Sequence, residues 1–179
     1  MDGTHAGETV LVTGGTGYLA GWVMAGLLGR GYRVRTTVRS PGKAEQVRGA
    51  VSEQAGEAAA GAIEFAVADL LTDDGWDSAY AAVDYVLHTA SPMPFNPGVD
   101  LIRTAREGTR RVLGAAARAG VKRAVLTSSG VAAGTGDPNT PATESAWTEP
   151  SGTPARVYPD PRFSPSARRG ISPRKPGSN

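Results

Sequence analysis

Over its first 130 residues the chain alternates between two polarity patterns with a regular beat. Thr9 to Thr13 (TVLVT) is an unbroken apolar run ended by glycines, the form of a strand covered on both faces. Tyr18 to Leu28 carries apolar residues at helical spacing and stops at Gly29 and Gly31. The alternating, β-branched Arg33–Val38 predicts a second strand, Lys43–Glu57 a helix, and Ile63–Val67 a third strand. Asp73–Ala82 reads as a short helix opened by acids, and Val83–Leu87 as strand four. After a Pro-rich loop comes the longest helix, Val99–Ala119, stopped by Gly120, and then strand five, Val121–Thr127. Strand–helix repeats on short connections predict an α/β fold with a doubly wound parallel sheet.

Near residue 150 the beat stops. From Pro150 to Asn179, seven of 30 residues are proline and the apolar residues show no period, so this tail is expected to be disordered. The expected organisation is therefore one domain over 8–148 and a Pro/Arg/Ser-rich segment over 149–179. Charge divides at the same place. Residues 151–179 hold six basic side chains and one acid, so the tail carries +5 and the remainder −3 of the net +2. A body of net −3 is not a nucleic-acid surface. There is no cysteine, which excludes disulfides and thiolate metal centres, and His5 and His88 have no metal-ligand spacing, so no metal is expected. No apolar run is long enough to span a bilayer and MDGTHAGE lacks a signal pattern; the expectation is a cytoplasmic protein without membrane contact.

The strongest local motif is Thr13-Gly14-Gly15-Thr16-Gly17-Tyr18-Leu19-Ala20, directly after a predicted strand and opening a predicted helix. Gly14 permits a tight turn, Gly17 lets backbone approach a diphosphate, and Ala20 keeps helix and strand close. The helix N-terminus then offers free N–H groups and partial positive charge to an anion. At the end of strand two, where an NAD site carries an acid for the ribose hydroxyls, this chain has Arg39. An arginine there pairs with the 2′-phosphate of NADP, which makes NADP the expected cofactor with NAD as the alternative; otherwise Arg39 is a solvated loop residue.

These segments occur in order with the Val-Arg-Ser-Pro stretch ending at Pro41, Ala68-Asp69-Leu70, Asp84 to Pro92 (DYVLHTASP), Glu107-Gly108-Thr109 and Val121 to Ser129 (VKRAVLTSS). Together they resemble the extended short-chain dehydrogenase/reductase family, in its dihydroflavonol 4-reductase-like and NAD-dependent epimerase/dehydratase branch, from about Glu8 to Thr148. The resemblance implies a Rossmann-type cofactor domain, here ended after about five strands, and an oxidoreductase acting on a small carbonyl or alcohol substrate. It implies that Gly14, Gly17, Tyr18, Leu19 and Ala20 meet the cofactor. Asp69 would accept from the adenine amino group with Leu70 beside the ring; the alternative for Asp69 is a cap on the helix near Asp73. Thr89, Ala90 and Ser91 would line the nicotinamide ribose and diphosphate, Ser129 would bond the substrate oxygen, and His88 is expected to be packed rather than catalytic.

In this family a tyrosine exchanges the proton and a lysine four residues later lowers its pKa. Tyr158 is the only tyrosine after Ser129, and Arg162 stands where the lysine belongs. One permitted codon set for Asp160–Gly170, read out of frame, gives Ser-Lys-Val-Leu-Ala-Glu-Arg-Ala-Pro-Trp and restores a lysine four positions beyond Tyr158. The expectation is a one-base deletion after the Pro159 codon, leaving a shortened chain with little or no turnover, a fifth strand with an uncovered edge, and sheet faces that lack their helices. A non-catalytic dinucleotide sensor and an inactive remnant are the rival readings. Substrate identity and oligomeric state are not legible.

Overall fold

The structure, a computed structural model, describes residues 7–92 and 100–129 together with Ala132, Thr143 and Ser145. The chain divides into two units, Met1–Thr127 and Ser128–Asn179. The first unit holds a five-stranded parallel sheet in the order β3-β2-β1-β4-β5. Its strands are β1 (Thr9–Thr13), β2 (Arg33–Val38), β3 (Glu64–Val67), β4 (Tyr85–His88) and β5 (Arg123–Leu126), joined through α1 (Tyr18–Leu28), α2 (Ala44–Ala55), α3 (Glu57–Gly61), α4 (Trp76–Ala79) and α5 (Leu101–Ala119).

The apolar run of β1 is buried at all five positions because the sheet is covered on both faces there. Successive side chains of a strand point to opposite faces. Val10 and Val12 accordingly enter one core with Ala20 and Met24 of α1 and Val47 and Val51 of α2. Leu11 enters the other, with Val86, with Trp76 and Ala79 of α4, and with Val112, Ala115 and Ala116 of α5. This is the doubly wound arrangement expected from the alternating pattern. In α5 the buried residues Thr104, Gly108, Val112, Ala115 and Ala116 fall on one stripe. Its ends are set by Asp100, whose carboxylate accepts the Arg103 N–H, and by Gly120 at φ +68°.

Two predicted elements differ in kind from those observed. The helix expected over Lys43–Glu57 is a 3-10 turn at Pro41–Lys43 followed by α2 and α3, broken where Gly56 takes φ +84°. The helix expected from Asp73 begins only at Trp76, because Gly75 at φ +82° forms its N-cap. The remaining differences are boundaries. Strand four starts at Tyr85, not Val83: the Val83 N–H closes onto the Tyr80 carbonyl, and the Asp84 carboxylate takes the Thr9 N–H at 2.8 Å. Strand five starts at Arg123, since the Val121 N–H is spent on the Ala116 carbonyl at the end of α5.

Candidate cofactor site

Beyond the carboxyl ends of β1, β2 and β4, where the strand order reverses, lies a cavity of about 330 Å3. That is the position at which parallel α/β sheets bind ligands. The cavity begins at the glycine turn between β1 and α1. Gly14 takes φ +77°, and a Cβ there would lie 2.9 Å from the Ala90 Cα, so a side chain is excluded by conformation and by space. A Cβ on Gly15 would overlap the Thr36 hydroxyl. Thr37 pins the turn to β2: its hydroxyl accepts the Gly14 N–H and its carbonyl the Gly15 N–H, both at 2.9 Å.

Helix α1 starts from Gly17 with no side-chain cap and no acid in its first turn. The first intrahelical bond is from the Gly21 N–H to the Gly17 carbonyl, so the amides of Tyr18, Leu19 and Ala20 have no intrahelical partner. An uncapped helix start beside a cavity is suited to an anion. Among the described residues the cavity wall carries two charged side chains, Arg39 and Asp69. Arg39 is exposed just past the end of β2, and its guanidinium has no partner among the described residues.

Beneath the cavity a polar network joins the ends of β1 and β4. The Thr13 hydroxyl lies 2.7 Å from His88 Nδ1 and accepts the Ala90 N–H at 3.1 Å, while the Thr89 hydroxyl donates to the Thr13 carbonyl at 2.7 Å. Burial lowers the His88 pKa to about 4, so the imidazole is neutral near pH 7. His88 is 2% exposed and serves as packing, with the Thr13 hydroxyl as its ring's polar partner among the described residues.

Of the residues the sequence pointed to, Gly14, Gly17 and Arg39 line the cavity, as do Asp69, Leu70, Ala90 and Ser91. Tyr18, Leu19, Ala20 and Thr89 do not. The Tyr18 side chain is 84% exposed and stacks edge-on against Trp22, and Ala20 is buried in the core. Asp69 caps no helix; its carboxylate accepts the N–H of Leu71. Ser129 lies in the second unit, where its carbonyl accepts the Ala132 N–H at 2.9 Å. Tyr158 and Arg162 lie outside the described residues, as does the tail. Sequence reasoning missed Thr37, Trp76 and Thr104 on the cavity wall. Thr37 was discoverable as the last-but-one residue of a strand, but Trp76 and Thr104 come from α4 and α5 without a local signal.

Among curated relatives, the chain is 38% identical over 146 residues to cinnamoyl-CoA reductase CAD2 of Medicago truncatula, covering 79% of this chain and 44% of that one. It is 39% identical over 130 residues to the ketoreductase azaE of Aspergillus niger, covering 68% and 38%. The chain thus spans less than half the length of these relatives. Among solved structures it is similar to yeast methylglyoxal/isovaleraldehyde reductase Gre2 complexed with NADPH, with TM-score 0.69 and 26% identity over 84% of this chain and 48% of that one. Vestitone reductase from alfalfa gives TM-score 0.60 and 30% identity over 79% and 43%. The sequence pattern of the NAD dependent epimerase/dehydratase family matches residues 10–159. With that match laid over a parallel sheet, a glycine turn and an uncapped helix start, the chain belongs to the NAD dependent epimerase/dehydratase family.

Proposed function

We propose that the cavity holds NADP(H), and that the protein is a reductase of small carbonyl compounds. The carrying observation is the pair of charges on one wall: Arg39, without a partner among the described residues, where NAD sites place an acid, and Asp69 on the loop after β3. The diphosphate would lie across the amides at the start of α1, the 2′-phosphate against Arg39, the adenine against Asp69 and Leu70, and the nicotinamide ribose near Ala90 and Ser91. Thr89 acts from beneath, through the Thr13 carbonyl. Bound NADPH supplies the hydride. In the intact enzyme Ser129 would polarise the substrate oxygen and Tyr158 would deliver the proton to that oxygen, while this chain, with Arg162 in the lysine's place, turns over little.

The named relatives support this reading, since the cinnamoyl-CoA and vestitone enzymes are reductases and the yeast structure is an NADPH complex. Fluorescence titration with NADPH and NADH tests it. NADPH binds more tightly in the native chain, and Arg39→Gln weakens NADPH by about tenfold or more while leaving NADH unchanged. Equal affinity for the two nucleotides, or no effect of Arg39→Gln, refutes the assignment.

Arg162 in the lysine's place supports a second reading, a dinucleotide-binding protein without turnover. A guanidinium stays protonated and is bulkier than the ammonium it replaces. A panel of small aldehydes and ketones separates the two, because only the reductase consumes NADPH. The proposed one-base change after Pro159 coincides with the end of the family match at residue 159. Reading the gene through those codons tests it; the proposal fails if the shifted frame encodes no lysine there.

A further inference from the structure

The turn after β3 is braced by residues that no motif singles out. Asp69 Oδ1 accepts the Leu71 N–H at 2.9 Å, closing the backbone on itself. The Trp76 indole N–H, from the first residue of α4, is shared between the carbonyls of Asp69 and Thr72, each at 3.1 Å. Arg111 of α5 donates through Nη1 to the Leu70 carbonyl at 2.9 Å. Space for Leu70 comes from Gly108, where a Cβ would stand 2.8 Å from the Leu70 Cβ. Three carbonyls of one four-residue turn are therefore held by side chains from two helices.

The bracing leaves one group free. Among the described residues nothing bonds the second carboxylate oxygen of Asp69, and both Asp69 and Leu70 are on the cavity wall. A carboxylate on a loose turn would have to be ordered on binding, which costs affinity; a turn fixed beforehand avoids that cost. Fixed geometry also sharpens discrimination. A carboxylate accepts from an amino group but meets a carbonyl oxygen as acceptor against acceptor.

Resting on the reading of the cavity as a dinucleotide site, we propose that Trp76 and Arg111 are positioning residues for the purine. By clamping the carbonyls of residues 69, 70 and 72, they hold the free oxygen of Asp69 toward the exocyclic amino group of adenine, with Leu70 against the ring. Selection of the base is thus set in part from α4 and α5, through the backbone of the turn that carries Asp69.

The test compares NADPH with reduced nicotinamide hypoxanthine dinucleotide phosphate, whose base carries a carbonyl in place of the amino group. Dissociation constants are measured for the full chain and for Trp76→Phe, which keeps a buried ring and loses the N–H. The native chain prefers adenine by about tenfold or more, and in Trp76→Phe the preference falls to about threefold or less. A purely structural role for Trp76 would weaken both nucleotides equally and leave the ratio intact. Arg111→Met is the companion variant; its side chain is 25% exposed, so its loss leaves the core packed and the experiment does not depend on Trp76→Phe folding. Unchanged ratios in the variants, or a native chain that takes both bases equally, overturn the proposal. A native chain that binds neither nucleotide overturns the cofactor reading itself, which is a separate result.

Discussion

Strands β1 and β5 belong to one sheet and both are rich in apolar residues, yet they are held in opposite ways. Every residue of β1 is buried, with a core on each face. Every residue of β5 is exposed, Val125 by 50% and Leu126 by 48%. What secures β5 is polar. Its ladder to β4 is extended by the Lys122 N–H on the Asp84 carbonyl and the Thr127 N–H on the His88 carbonyl. The Lys122 ammonium adds bonds to Asp84 and Glu8, both at 2.9 Å, and these raise its pKa above the usual lysine range. An apolar strand sequence thus reports that a strand forms but not that anything covers it. Among the described residues β5 has no apolar cover, and exposed apolar surface at a sheet edge is a place where chains associate.

The sharpest way to break this comparison is truncation. Leu11→Ala, in the fully buried strand, costs about 2–5 kcal/mol of unfolding free energy by denaturant titration. If Val125→Ala cost as much, β5 would be covered in solution.

The next effect is a pH dependence carried by the buried side. His88 has a folded-state pKa of about 4 against an ordinary 6.5, so it is neutral in the fold. As pH falls below 6.5 the unfolded chain takes up a proton that the folded chain refuses until about 4. Stability therefore falls across that window, by up to about 3 kcal/mol. His88→Asn flattens this slope. Glu64 and Asp84 are lowered from 4.5 and 3.8, Glu64 by its bonds to Arg35 and Arg33 and Asp84 by the Thr9 N–H and Lys122. Their contributions are lost around and below those values, so of these three groups His88 alone carries the slope between about 5.5 and 6.5. Chemical denaturation at a series of pH values measures it.

Gly15→Ala comes third. Its methyl would overlap Thr36, whose hydroxyl is committed to the Val12 carbonyl at 2.7 Å and cannot turn aside. A loss of about 1–3 kcal/mol is expected, with weaker NADPH binding because the glycine turn moves. Thermal melts and nucleotide titration check the two parts. Smallest is Val125→Ala itself, expected to change stability by no more than about 0.5 kcal/mol.

Much of this was legible in the residues because its causes are local. The bounds of β1, α1 and β2 follow from apolar periodicity and from glycines at the stops, and they are found where the pattern places them. The glycine turn was legible too, since only glycine takes φ +77° without strain at Gly14. The short helix before β4 was less so. Asp73, Asp74 and Trp76 are all compatible with a helix start, and the decision lay in the positive φ of Gly75, where a Cβ would collide with the Val67 carbonyl of β3. Tyr18 and Leu19 sit inside the motif, but on a helix the direction of a side chain depends on what the helix packs against. Tyr18 and Leu19 are left exposed while Ala20 is drawn into the core.

The sequence by itself determined the order of the elements, the parallel doubly wound sheet, and the glycine turn between β1 and α1. These depend on polarity period and backbone freedom within a few residues of one another. Tertiary structure alone decided which strands are covered, that Trp76 and Arg111 reach the carbonyls after β3, and that His88 finds the Thr13 hydroxyl across 75 positions of chain. Contacts between residues so far apart are fixed by how helices seat on the sheet, and that seating is a property of the packed whole.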